Sequence, residues 1–175
     1  NQTVPNAGFP IRNAIYGVFQ DTDTRVSASF PPNTSVSWKL SGTYPCRKLI
    51  VNFNELGQFS CNQSVGGQTY QIVLYEVSNI IEVYVQRRVP CNSWQNGAGV
   101  IGIQNDAGNL GYTPPGRNTG AWSANNEAWR FTPTGPNVPV EIKWFEGQTQ
   151  IGTGPTITVC PTATTSYTLN AEYTI

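Results

Sequence analysis

The 175-residue chain contains no histidine, no methionine and only 20 charged side chains, 10 basic and 10 acidic. Histidine titrates near neutral pH and is the commonest transition-metal ligand. Its absence excludes a Ser-His-Asp or Cys-His catalytic site and every zinc site that uses histidine. Because the formal net charge is zero, the chain also lacks the basic surface that binds nucleic acid or anionic lipid. We therefore expect no nucleic-acid partner.

Long hydrophobic runs are missing as well, and no stretch approaches the ~20 apolar residues of a membrane span. We expect no membrane insertion. Charged residues make up 11% of the chain, while 17 glycines and 13 prolines are present, a composition typical of a secreted β-protein. Because the sequence opens on Asn1 without the pattern of a signal peptide, we expect it to be part of a longer, processed polypeptide.

Alternating apolar and polar residues dominate, and many of the apolar positions hold β-branched or aromatic residues. A hairpin is predicted from strands at 69–75 and 80–85 with a turn at Ser78-Asn79, next to a strand at 49–53. A run at 100–104, bounded by glycines, is expected to continue it as a meander. We predict an all-β, antiparallel β-sandwich. Further strands are predicted at 16–20, 25–30, 36–40, 128–131, 140–145, 156–159 and 166–173.

A segment rich in proline and glycine, Thr132–Pro139, marks a domain boundary. We predict a β-sandwich module at residues 1–133, a linker at 134–139 and a small C-terminal β lobe at 140–175. The lobe has roughly 36 residues, fewer than a free-standing core normally needs. We therefore expect it to be half of an immunoglobulin-like or PKD-like unit that packs on the first module or on a neighbouring one.

Four cysteines, Cys46, Cys61, Cys91 and Cys160, predict two disulfide bonds in a secreted chain, with three connectivities open. The predicted strand order places Cys61 at the same end of the sandwich as Cys91, and Cys46 at the other end. This order favours Cys61–Cys91 and leaves Cys46–Cys160 to join the C-terminal strands to the main sandwich. A free buried thiol at one or more positions is the alternative.

Two stretches near the end of the first module carry a resemblance to a known kind of protein. They are GVIGIQNDAG at 99–108 and PPGRNTGAWSANNEAWRFTP at 114–133. Together they resemble a module of giant cell-surface proteins of Bacteroidota, which are exported by type IX secretion and include gliding-motility adhesins. The resemblance extends over most of residues 1–133, and residues 159–168 resemble the end of PKD-like or immunoglobulin-like repeats. It implies an adhesin-type sandwich, jelly-roll, nidogen-like or immunoglobulin-like, without catalytic residues.

The run at 114–133 is interpreted first as a structural loop. Gly116 and Gly120 allow the backbone to fold back tightly, which would hold an arginine between them. A planar guanidinium can bond carbonyl groups, pair with a carboxylate and stack on aromatic rings. The residues expected to tie this loop to the sandwich are Arg117, Asn118, Glu127, Trp129 and Arg130.

A saccharide-binding platform is the alternative interpretation of the same region. Aromatic rings stack on sugar rings, and side-chain amides read hydroxyl groups. The residues that would form this platform are Trp122, Tyr112, Asn125 and Asn126.

The sequence suggests one cofactor site, for calcium, which is bound by oxygen ligands. Asp21-Thr22-Asp23 places two carboxylates two residues apart. The loop lacks the glycine and the downstream glutamate of an EF-hand. Turn capping or simple solvation of the two carboxylates is the alternative.

These patterns predict a non-enzymatic extracellular module of a large bacterial surface adhesin, with a structural and adhesive role at the cell surface in adhesion or gliding motility. Its expected partners are neighbouring modules of the same polypeptide and, further, surface polysaccharide. A carbohydrate-binding module is the alternative function. A hydrolase would need two carboxylates converging in a cleft, and none is expected.

Overall fold

The computed structural model describes residues 3–25, 33–135 and 140–173. The chain divides into two compact units, Asn1–Pro133 and Thr134–Ile175. Residues 26–30 of the strand predicted at 25–30, and residues 136–139 of the predicted linker, lie outside the described residues. Within the described residues no helix has the length and hydropathy needed to cross a bilayer.

Antiparallel strands form nearly all of the regular structure, which confirms the predicted all-β class. The only helical segments among the described residues are α1 (Asn62–Val65) and a 3-10 turn (Gln95–Gly97). The strands are β1 (Ala14–Phe19), β2 (Thr22–Asp23), β3 (Ser35–Ser41), β4 (Lys48–Gln58), β5 (Gln68–Tyr75), β6 (Ile81–Arg88), β7 (Val100–Gln104), β8 (Gly111–Tyr112), β9 (Ala124–Phe131), β10 (Val140–Glu146), β11 (Thr149–Thr153) and β12 (Tyr167–Tyr173).

Among the described residues, the main sheet of the first unit has six strands, in the order β2-β4-β5-β6-β9, with β3 also paired to β4. The predicted hairpin is β5–β6. The Tyr75 N–H donates to the Ile80 carbonyl oxygen at 3.0 Å, and Asn79 in the turn takes a left-handed φ of 52°. Asparagine tolerates that conformation better than most residues, which explains why the sequence predicted a turn at this position.

A smaller sheet, β1-β7-β8, packs on the main one. The predicted meander is wrong at this point, because β7 pairs with β1 and β9 takes the place beside β6. Val100 and Ile101 of β7 are both completely buried, so this strand had no polar face to indicate its sheet. The chain between β6 and β7 contains Cys91 and the 3-10 turn, and it carries the backbone from one sheet to the other.

Core packing lies between these two sheets. Val83 and Val85 of β6 have no exposed surface, and they pack with Ile101 of β7 and Val18 of β1. A second cluster joins Val4, Tyr16 and Val100, with Phe9 and Phe19 packed against it. The N-terminal segment is therefore part of the folded first unit.

The second unit is a three-stranded antiparallel sheet in the order β11-β10-β12. Lys143 of β10 contacts Glu172 of β12 at 2.7 Å, and the Trp144 indole donates to the Gly154 carbonyl oxygen at 3.0 Å. The strand predicted at 156–159 is irregular, whereas β11 was not predicted. Gly147, with a φ of 60°, closes a tight turn that pairs β11 directly with β10.

Candidate functional site

The side chain of Arg88 is fully buried in the first unit. It donates to the side-chain oxygen of Gln20 and the carbonyl oxygen of Gly97, both at 2.9 Å, and to the carbonyl oxygen of Trp122. Burial, together with the charge of nearby Arg117, lowers the pKa of Arg88 to about 10. Two of its acceptors are backbone carbonyl groups from separate segments of the chain, so this guanidinium holds those segments together.

Trp122 is a core residue that two arginines cover. The guanidinium carbons of Arg88 and Arg117 lie 4.0 and 4.7 Å from its ring centroid. Its indole N–H donates to the Gly99 carbonyl oxygen at 2.9 Å. The contacts of the two guanidinium groups with this ring stabilise the loop. Because Trp122 is only 7% exposed, little of its surface is left for a ligand.

Arg117 ties the glycine-bounded loop to β9. It donates to the two carboxylate oxygens of Glu127 at 2.7 and 2.5 Å, and the Trp129 indole also donates to Glu127. The hydrogen bond from Arg117 lowers the pKa of Glu127. Next to it, the Asn118 side chain exchanges two hydrogen bonds with the backbone of Val4, at 2.7 and 2.8 Å. The loop is thus bonded to β9 and to the N-terminal segment.

A second carboxylate, Glu82 on β6, is nearly buried and accepts three donors. The hydroxyl groups of Tyr75 and Tyr84 lie 2.6 and 2.5 Å from one oxygen, and Arg130 Nε lies 2.7 Å from the other. Burial alone would raise the pKa of Glu82, but these hydrogen bonds outweigh it and the pKa is lowered. A carboxylate held ionised by three donors serves as a structural anchor and is a poor general acid.

The predicted saccharide platform is not assembled, and this corrects the sequence interpretation. Trp122 lies in the core, whereas Tyr112 is 60% exposed on β8. Asn125 and Asn126 are exposed on β9, an edge strand of the other sheet. Composition could not distinguish a surface ring from a core ring, and Arg88, one of the two arginines that cover Trp122, lies 34 positions away in the sequence.

Tyr112 instead borders a groove of about 400 Å³ that the sequence did not reveal. Two of its amides are already engaged, since Gln104 accepts from the Asn6 N–H at 2.9 Å and Asn105 from the Leu110 N–H at 3.2 Å. The groove was missed because its walls come from both sheets. The residues that line it are Asn13, Ala14, Ile15, Ile81, Ile103, Gln104, Asn105, Leu110 and Tyr112.

The predicted calcium ligands each have a protein partner. Asp21 accepts a hydrogen bond from the Trp94 indole at 2.7 Å, and Asp23 pairs with Arg25 Nε at 2.9 Å. Over the part of the chain that the structure describes, no three Cys, Asp or Glu side chains come together as a metal site. Calcium binding at Asp21 and Asp23 stays a prediction.

One of the two predicted disulfides is present. Cys61 and Cys91 are bonded, with Cα atoms 5.7 Å apart, which confirms that pair. Cys46 and Cys160 are both exposed free thiols in the structure, one in each unit, and their pairing stays a prediction. The C-terminal strands form a separate sheet in their own unit.

The family model described as NIDO related, a nidogen-like β-sandwich family, matches residues 1–134, which include the whole of the first unit. No curated protein and no solved structure matches the chain.

Proposed function

This chain belongs to the NIDO-related family, and from that premise we propose that it is a non-enzymatic module of an extracellular protein with a structural and adhesive role. One observation carries the proposal. The charged and aromatic residues that could supply chemistry, Arg88, Arg117, Trp122 and Glu127, are bonded to one another or to backbone inside the first unit. A module built in this way resists unfolding and presents its loops to partners.

The Cys61–Cys91 disulfide supports an extracellular location, because such bonds persist in oxidising compartments. It closes the end of the main sheet where β6 leaves for the smaller sheet. A covalent bond at this point keeps the intervening chain folded back under load. Strength and exposure of loops are the properties that a surface module requires.

The finer form of the proposal is a repeat or stalk segment of a large adhesin at the bacterial cell surface, acting in adhesion or gliding motility. The support is the resemblance of residues 99–133 to modules of type IX-secreted surface proteins of Bacteroidota. Neighbouring modules of the same polypeptide would be its partners. The second unit, a three-stranded sheet, would be part of a PKD-like or immunoglobulin-like repeat.

Mechanical unfolding of single molecules tests this role. The full chain is pulled by its termini in oxidising and in reducing buffer. The disulfide spans 30 residues, so we expect the length released by the first unit to be roughly 100 Å shorter in oxidising buffer, at about 3.4 Å per residue. We also expect that unit to unfold in one resolved event. Gradual extension without such an event would refute a load-bearing role.

Saccharide binding at the groove is a second candidate, because Tyr112 keeps an exposed ring beside Leu110 and Asn13. A glycan array probed with the full chain tests it. Binding that is lost in Tyr112→Ala and kept in Tyr44→Ala, an exposed tyrosine outside the groove, would support a lectin-like function. Absence of binding on the array would leave the structural role.

A further inference from the structure

Part of the inner face of the main sheet is not covered by the smaller sheet. Three cross-strand rows run over this face, and the middle row is Trp38, Val51, Ile72 and Val83. Val83 has no exposed surface, whereas Trp38 at the other end of the row is 73% exposed. The same sheet face therefore changes from core to open surface between β6 and β3.

The boundary of the cover lies over β5. A side-chain carbon built on Gly17 of β1 would come within 2.8 Å of Ile72, so β1 rests directly on that residue. Beyond β1 the smaller sheet has no further strand in the residues described. The uncovered region, here called the apolar shelf, consists of Val36, Trp38 and Leu40 on β3, Leu49 and Val51 on β4, and Leu74 on β5.

The chemistry of the apolar shelf fits a protein surface better than a sugar. The side chains beside Trp38 on this face are Val36, Leu40 and Val51, which offer no hydrogen bond to a hydroxyl group. The charges at its rim belong to Arg47 and Glu76, which pair with each other at 2.6 Å. These two rim charges therefore compensate each other.

We propose that the apolar shelf is covered by the apolar shelf of a second copy of this chain, packed face to face about a two-fold axis near Trp38. Such an interface must be self-complementary. The alternation of apolar and polar residues along β3 is symmetric about Trp38, with Val36 and Leu40 two positions away on either side and on the same face. The chain has zero net charge, so two copies approach without long-range repulsion.

The exposed area is sufficient for this assembly. Val36 and Leu40 are 56% and 50% exposed, and a fully exposed aromatic side chain contributes roughly 150–250 Å². On this scale the shelf offers roughly 500 Å² per copy. Two copies would bury about 1,000 Å², which is the lower limit for a specific protein interface. Sheets that pack in this way interdigitate as in the interior of a sandwich.

Sedimentation of the full chain over a wide concentration range tests the proposal. We expect the wild type to reach twice the monomer mass at high concentration. Trp38→Glu should weaken dimerisation at least 30-fold, because truncation of a central aromatic anchor typically costs a factor of this size. The matched control is Ser37→Glu, which adds the same charge on the opposite face of β3 and should leave dimerisation unchanged.

Folding is checked by thermal melting of each variant. Trp38 is mostly exposed, so Trp38→Glu should melt close to the wild type; if it does not, Val36→Glu replaces it in the comparison. A wild type that stays monomeric at every concentration overturns the proposal and leaves the shelf to a different protein. Equal loss of dimer in Trp38→Glu and Ser37→Glu also overturns it, because the contact would then not use this face.

Discussion

Reduction of the Cys61–Cys91 disulfide should lower the free energy of unfolding of the first unit. The bond closes a loop of 30 residues. In the chain-entropy model a loop of this length restricts the unfolded ensemble by about 12 cal/mol/K, or about 3.6 kcal/mol at 25 °C. For a unit of this size we expect the melting temperature to fall by roughly 10–15 °C.

The assay is thermal unfolding followed by circular dichroism with and without a thiol-free reductant. The reference protein is the Cys46→Ser, Cys160→Ser double variant, in which the only sulfur atoms left are those of the disulfide. Because the two replaced thiols are free and exposed, this variant should melt at the wild-type temperature in oxidising buffer. Reductant should then lower both melting temperatures equally.

Two results would refute this reasoning. A melting temperature insensitive to reductant would mean that the loop is held by packing alone. A lower melting temperature of the Cys46→Ser, Cys160→Ser variant in oxidising buffer would mean that these thiols form a stabilising bond, as the sequence had predicted.

Two other perturbations probe the arginine-centred packing. Glu127→Gln should destabilise the first unit by about 2 kcal/mol, because Arg117 loses its ionised partner. Folding lowers the pKa of Glu127, so its contribution to the free energy of unfolding is present above the unfolded pKa near 4.3 and is lost as the pH falls through the folded pKa. The melting temperature of Glu127→Gln should therefore depend less steeply on pH in this acid range than that of the wild type. Gly99→Ala should destabilise by about 1–3 kcal/mol, since the added carbon would meet the Arg88 guanidinium. Gly135→Ala, with no atom within 4 Å, should melt unchanged. An equal loss in the two alanine variants would contradict the proposed clash.

Much of the fold was predictable because its signals are local. Alternation of apolar and polar residues predicted β4, β5 and β6, and in β6 Val83 and Val85 are fully buried whereas Tyr84 between them is exposed. The turn at Asn79 fixed the pairing of β5 with β6. That pairing in turn placed Cys61 and Cys91 at one end of the sheet, so the disulfide followed from the strand order.

The part of the candidate site around Arg88 was less predictable, because its contacts are remote in the sequence. Arg88 lies 34 positions from Trp122 and 68 from Gln20, and no local pattern links an arginine to acceptors so distant. The apolar shelf was hidden for a related reason. The alternation in Ser35–Ser41 is that of an ordinary half-buried strand, and only the extent of the opposing sheet leaves its apolar face open.

The sequence by itself determined the β class, the β5–β6 hairpin and the exclusion of histidine chemistry, and it favoured the Cys61–Cys91 pair, because each depends on residue type or on near neighbours. The tertiary structure alone decided that β7 crosses to the smaller sheet and that Trp122 is a core ring. Those outcomes depend on which surfaces meet in space. The local sequence does not indicate this when a strand is buried on both faces, or when an aromatic ring could lie either in the core or on the surface.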